Sequence, residues 1–129
     1  MKNFNCSTVE YLFAQNAELD INNNIVPKTG FSFLQFNTKE KNLFSENAKK
    51  TDGNIIYEQE LSILFKYTDV TLLEMLNNAH LIIRLKNISS DIFMWGSIEP
   101  YNPVLLRIDT ENKYVVLKFS RLNHTPELP

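Results

Sequence analysis

Residues 55–67 read IIYEQELSILFKY, and the fold is decided by their alternation. One parity carries Ile55, Tyr57, Gln59, Leu61, Ile63, Phe65 and Tyr67. The other carries Ile56, Glu58, Glu60, Ser62, Leu64 and Lys66. Successive side chains of a strand point to opposite faces, so this pattern predicts one long strand with a buried face and a largely wet face. The usual strand has about five or six residues. One of this length bends, or runs past the body of its domain.

Upstream, residues 31–36 (FSFLQF) follow Pro27 and Gly30 and predict a shorter strand. Between the two lie residues 37–54, read as an extended polar arm or loop, because connections of that length are commonly functional or flexible. This arm carries Lys39, Glu40, Lys41, Lys49, Lys50 and Asp52, with Leu43 and Phe44 as its one apolar pair. Downstream, Thr71 and Glu74 have capping-box spacing, with Asp69 as a competing cap. Leu72, Leu73 and Leu76 form an apolar stripe, and Asn77 and Asn78 can end the element. These features predict one short α-helix at about residues 70–78, too short to stand without a sheet beneath it.

Residues 81–86, 92–98, 104–108 and 114–119 predict further strands, the last two joined by a hairpin connection at 109–113. Val9, Tyr11 and Phe13 predict a first strand, and residues 21–26 a weaker one. Residues 121–129 read as a loose C-terminal tail. The expected class is mainly β, a β-sandwich or open barrel of mostly antiparallel strands, in a single domain spanning 1–129.

The chain has 129 residues, of which 43% are hydrophobic and 22% charged, ordinary values for a globular protein. Thirteen basic and fifteen acidic side chains leave a net charge of −2, without the basic footprint of a dedicated nucleic-acid binder. A single cysteine, Cys6, excludes an internal disulfide. No apolar run approaches the ~20 residues that span a bilayer. The N-terminal MKNFNCSTVE has one lysine and no apolar stretch behind it, so no signal peptide is expected. Three glycines, Gly30, Gly53 and Gly96, are too few and too scattered for a phosphate-cradling loop.

Residues that could carry chemistry are sparse. His80 falls between the helix and a strand, and His124 in the tail; neither has ligands at metal-binding spacing. Cys6 has no neighbouring base to hold it as thiolate. Glu58 and Glu60 share one face at a separation of about 7 Å, a distance open to acid–base chemistry, but solvated charge is the usual fate of a wet strand face. Trp95, Gly96, Glu99 and Tyr101 suggest an aromatic binding platform, against which stands ordinary core packing of Trp95. No catalytic residue, metal or cofactor is expected.

The stretch FSENAKKTDGNIIYEQELSILF, then a helix and WGSIEPYNPVLL, resembles small β-rich structural proteins of tailed phages and of prophages in gut bacteria. The resemblance covers about residues 30–120. It rests on Lys49–Lys50, Asp52–Gly53, Tyr57–Glu58–Gln59, the helix at 71–76, Trp95–Gly96 and Pro103. It implies a tail- or neck-type subunit found in virions, made in the host bacterial cytoplasm, with one helix flanking a sandwich or barrel. It also implies homo-oligomeric rings, often sixfold, contacts with other virion proteins, and no membrane, sequence-specific nucleic acid or small-molecule substrate. Lys39, Leu43, Phe44, Lys49, Lys50, Tyr57 and Tyr101 are then the expected subunit-interface residues. The competing expectation is a monomeric ligand- or peptide-binding module built around Trp95 and Tyr101.

Overall fold

The computed structural model describes residues 2–36, 42–66, 74–76, 79–87, 89, 91–99, 103–111 and 114–123. The fold is mainly antiparallel β, a sandwich of two sheets. The first sheet holds β1 (Lys2–Cys6), β6 (Asn42–Thr51), β7 (Asn54–Lys66), β11 (Tyr114–Asn123) and β10 (Leu105–Glu111), in the order β1-β6-β7-β11-β10. The second holds β5 (Leu34–Gln35), β2 (Thr8–Phe13), β8 (Leu81–Lys86) and β9 (Ile92–Trp95), in that order. A small hairpin of β3 (Ala17–Leu19) and β4 (Ile25–Pro27) follows a 3-10 turn at Ala14–Asn16.

From Gln59 to Ile63 the alternation of β7 behaves as its sequence predicts, whereas Ile55, expected on the buried face, is exposed. Gln59, Leu61 and Ile63 are buried, while Glu60 and Ser62 are exposed. From the facing sheet, Val9, Tyr11, Ile83, Leu85 and Trp95 meet them, and Phe44, Leu117 and Phe119 complete the same cluster. Phe44 lies edge-on to Trp95 at 5.0 Å and to Phe93 at 4.9 Å between ring centroids, a favoured aromatic geometry. The second sheet is covered on its other face too. There Leu12, Ala14, Ala17 and Ile82 form a smaller core, with Ile25, Phe33, Met94 and Ile98 against it. Hence the first half of β8 reads as an unbroken apolar run, Leu81-Ile82-Ile83, because both faces are covered there.

Several expectations need correction. Residues 42–51, read as arm or loop, form a ten-residue strand paired with β1 on one side and β7 on the other. Asp52 (φ 49°) and Gly53 (φ 83°) make the two-residue turn between β6 and β7, the left-handed pair that a tight hairpin demands. Residues 2–6 are also a strand, so the segment around Val9 is the second strand rather than the first. The strand expected at 31–36 shrinks to Leu34–Gln35, and that at 92–98 stops at Trp95. β11 continues through residues 121–123, expected in the loose tail, because β7 is long enough to pair with it as far as Asn123. The helix expected at 70–78 is helical at residues 74–76, where Leu76 is buried against the core; 70–73 and 77–78 lie outside the described residues. No helix among the described residues is long and apolar enough to cross a membrane.

Candidate functional site

The polar interior of the sandwich is built for packing. Gln59 and Glu46 are directly opposed on β7 and β6, and both are buried. The Trp95 indole N–H donates to Gln59 Oε1 at 2.9 Å, and Gln59 Nε2 donates to Glu46 Oε2 at 2.9 Å. Trp95 has 0% exposure. A ring sealed in this way offers no face to a ligand, which removes the aromatic platform expected at Trp95; Glu99 lies exposed beyond it, and Tyr101 lies outside the described residues. Cys6 is equally closed off. Burial pushes its thiol up to about 12, only partly offset by the Phe44 backbone, so it stays protonated and inert.

The outer face of the second sheet carries an ion cluster. The Arg84 guanidinium grips Glu10 with two bonds, Nε to Oε1 at 3.0 Å and Nη2 to Oε2 at 2.9 Å, while Lys86 Nζ stands 3.4 Å from Oε1. Arg84 also stacks over Phe33, 4.2 Å from the ring centroid. The bond from Arg84, joined by the charges of Arg84 and Lys86, holds the Glu10 carboxyl below the ordinary glutamate range despite its burial. The cluster pins β2 to β8.

Two concavities bear on the expected residues. The first, about 660 Å³, lies among the 3-10 turn, the start of β8 and residue 75. Phe13, Gln15, Lys28, Met75, His80 and Ile98 are among its lining residues. His80 Nε2–H donates to the Ser97 carbonyl, which ties the ring to the loop after β9. The second, about 380 Å³, is a trough on the outer face of the five-stranded sheet. Register explains it: Ser45, Glu60, Ser120 and Leu105 form one cross-strand row, and Asn47, Glu58 and Leu122 the next. Glu58 and Glu60 therefore share the trough, while His80 lines the other cleft, so the three do not converge. Among the described residues no three His, Cys, Asp or Glu side chains gather to hold a metal.

The remaining feature is the β6–β7 hairpin. Among the described residues β1 pairs with β6 as far as Glu46, and β11 with β7 as far as Tyr57. Beyond those points Ala48, Lys49, Lys50 and Ile55 are all exposed, although they belong to both parities. Exposure on both faces means that the tip stands clear of its own sandwich. Of the expected interface residues, Lys49 and Lys50 lie on this tip, with Lys49 3.6 Å from Glu58, and Tyr57 sits half-buried at its base. Leu43 lies exposed on the outer face of β6. Phe44 is wholly buried in its own core, so its ring has no surface left for a neighbour. Lys39 and Tyr101 lie outside the described residues, as does His124. Residue-by-residue reading missed Leu105 and Leu122, 62% and 58% exposed, which place an apolar patch beside the trough's two acids. Compared with protein-family models, curated proteins and solved structures, the chain matches none of them.

Proposed function

We propose that this chain is a non-enzymatic structural subunit that works by binding copies of itself and sibling components, as in the tail or neck of a phage particle. The observation that carries this reading is the projecting β6–β7 hairpin. Ten residues, 47–56, extend past β1 and past the end of β11, and among the described residues the outer edge of β6 beyond Glu46 has no strand beside it. Unpaired strand edges are templates for pairing with another chain. The tip carries two lysines, Lys49 and Lys50, against one acid, Asp52, with Ile55 apolar, whereas the trough carries two acids, Glu58 and Glu60, against one base, Arg121, with Leu105 and Leu122 apolar. A tip of that character is complementary to the trough of a neighbour, and such a head-to-tail contact generates a ring when the rotation closes. The phage assignment itself is supported by the sequence resemblance, and the virion is the location that follows from it.

The test is size-exclusion chromatography with light scattering at low and high salt. It compares the intact chain with a variant in which residues 48–55 are replaced by a two-residue turn. The expected result is an oligomer for the intact chain and a folded, smaller species for the shortened one, since the tip makes no part of the core. A strict monomer at every salt concentration overturns the assembly reading.

A further inference from the structure

We infer that the free edge of β10 is where a second copy of this chain binds, the two β10 strands pairing antiparallel about a two-fold axis at Ile108. This inference rests on the assembly reading above and gives it a second, defined contact. The pairing would join two five-stranded sheets into one continuous sheet of ten.

Among the described residues the two large sheets have four edge strands: β1 with five residues, β5 with two, β9 with four and β10 with seven. The β3–β4 hairpin adds two of three residues each. Among the described residues β10 pairs only with β11, so its other side offers the longest open row of backbone donors and acceptors. Antiparallel pairing of a strand with its own copy is most extensive when the axis passes through its middle residue, here Ile108. That register sets Arg107 opposite Asp109 of the second copy, and Asp109 opposite Arg107 of the second copy. Directly opposed residues on one face have Cβ atoms about 4.5–5.5 Å apart, close enough for an ion pair. Both side chains are available, with 69% and 44% of Arg107 and Asp109 exposed.

The neighbouring registers are poorer. Moving the axis to Arg107 sets Arg107 against its own copy with no opposite-charge pair to offset it. Moving it to Asp109 sets Asp109 against its own copy and, although it brings Arg107 opposite Glu111, shortens the overlap to residues 107–111. Like charges directly opposed repel. Strand register is otherwise easily slipped. Of these three registers, the one with the most extensive overlap is also the one that makes opposite-charge pairs with no like charges opposed. Within one chain Arg107 Nη2 and Lys118 Nζ each stand 3.4 Å from Asp109 Oδ2, so the charges are already gathered at the outer face. Pairing would turn them into an alternating quartet, Arg–Asp–Arg–Asp. On the opposite face Leu106 and Ile108 pack against the core, and Ile108 would meet its own copy on the axis, continuing the apolar layer across the joint.

Sedimentation equilibrium on the full chain tests this at low salt, with Arg107→Glu, Asp109→Arg and the double charge swap R107E/D109R. The substituted side chains are exposed, and circular dichroism checks that each variant is folded. Each single reversal turns two attractions into two repulsions and should weaken self-association by about tenfold or more. The double swap should recover most of the loss, because it rebuilds the same pairs with the partners exchanged. Association unchanged by either single reversal, or unrecovered by the swap, overturns the β10 contact while leaving assembly through the hairpin standing. An intact chain that is monomeric at all concentrations overturns both.

Discussion

Replacing Gln59 with leucine tests whether the buried polar chain holds the two sheets in place. Gln59 is 1% exposed and links the sheets, since Trp95 lies on β9 and Glu46 on β6. Leucine fits the space but removes the acceptor of the Trp95 N–H and a donor to the Glu46 carboxylate. Orphaning a buried donor costs about 1–3 kcal/mol, and losing a bond to a charged group costs about 1.5–3 kcal/mol. Removing the glutamine's own desolvation cost returns about 1–2 kcal/mol. The net loss should be about 3 kcal/mol, a large part of the ~5–15 kcal/mol that holds a typical domain together. With a urea slope of about 1.5 kcal/mol/M, the unfolding midpoint falls by about 2 M. Trp95 is the sole tryptophan, so its fluorescence reports both the transition and the local environment. Trp95→Phe should be non-additive with Gln59→Leu, since both delete the same hydrogen bond; circular dichroism follows that pair. A Q59L chain that loses less than about 1 kcal/mol would refute the reasoning, because the network would then add nothing beyond packing.

Glu10 makes stability depend on acid. Its folded pKa is lowered, so its contribution is complete above the unfolded glutamate range and is lost as pH falls through that range toward the folded value. Glu10→Gln should flatten the stability curve below about pH 5, measured by thermal melts at a series of pH values. Cys6, buried with its thiol near 12, should react with a thiol-specific chromogenic reagent only as fast as the chain opens; rapid labelling of native protein would contradict its placement. Gly53→Ala meets open space at φ 83° and should cost about 1 kcal/mol, whereas Gly96→Ala, at φ 115° with its new Cβ 3.0 Å from the Leu81 carbonyl, should cost more. Equal urea midpoints for the two would show that the close approach at Gly96 is relieved without cost.

The strands that declared themselves in the sequence are those whose inward side chains are all apolar or nearly so. β7, β8 and β11 bury Leu61 and Ile63, Leu81, Ile83 and Leu85, and Leu117 and Phe119 at period two. β6 was concealed because its inward side chains are Asn42, Phe44 and Glu46, of which only one is apolar. A buried glutamate looks like a loop residue until the Gln59 opposite it is known to supply a hydrogen bond. The readable signal there was Asp52-Gly53, the commonest kind of two-residue hairpin turn, placed directly before a long strand. β1 was hidden for a similar reason: of its five residues only Phe4 and Cys6 turn toward the core.

Local alternation along the chain, set by the two-fold pleat of a strand, determined that this protein is mainly antiparallel β and that residues 55–66 run within one long strand. Which edges stay open, which end of the hairpin clears the body, and that Trp95 is sealed inside were decided only by the tertiary structure. Those properties depend on which strands become neighbours across long stretches of sequence. Pairing partners such as Trp95 and Gln59, 36 residues apart, come together only once both sheets have closed over them.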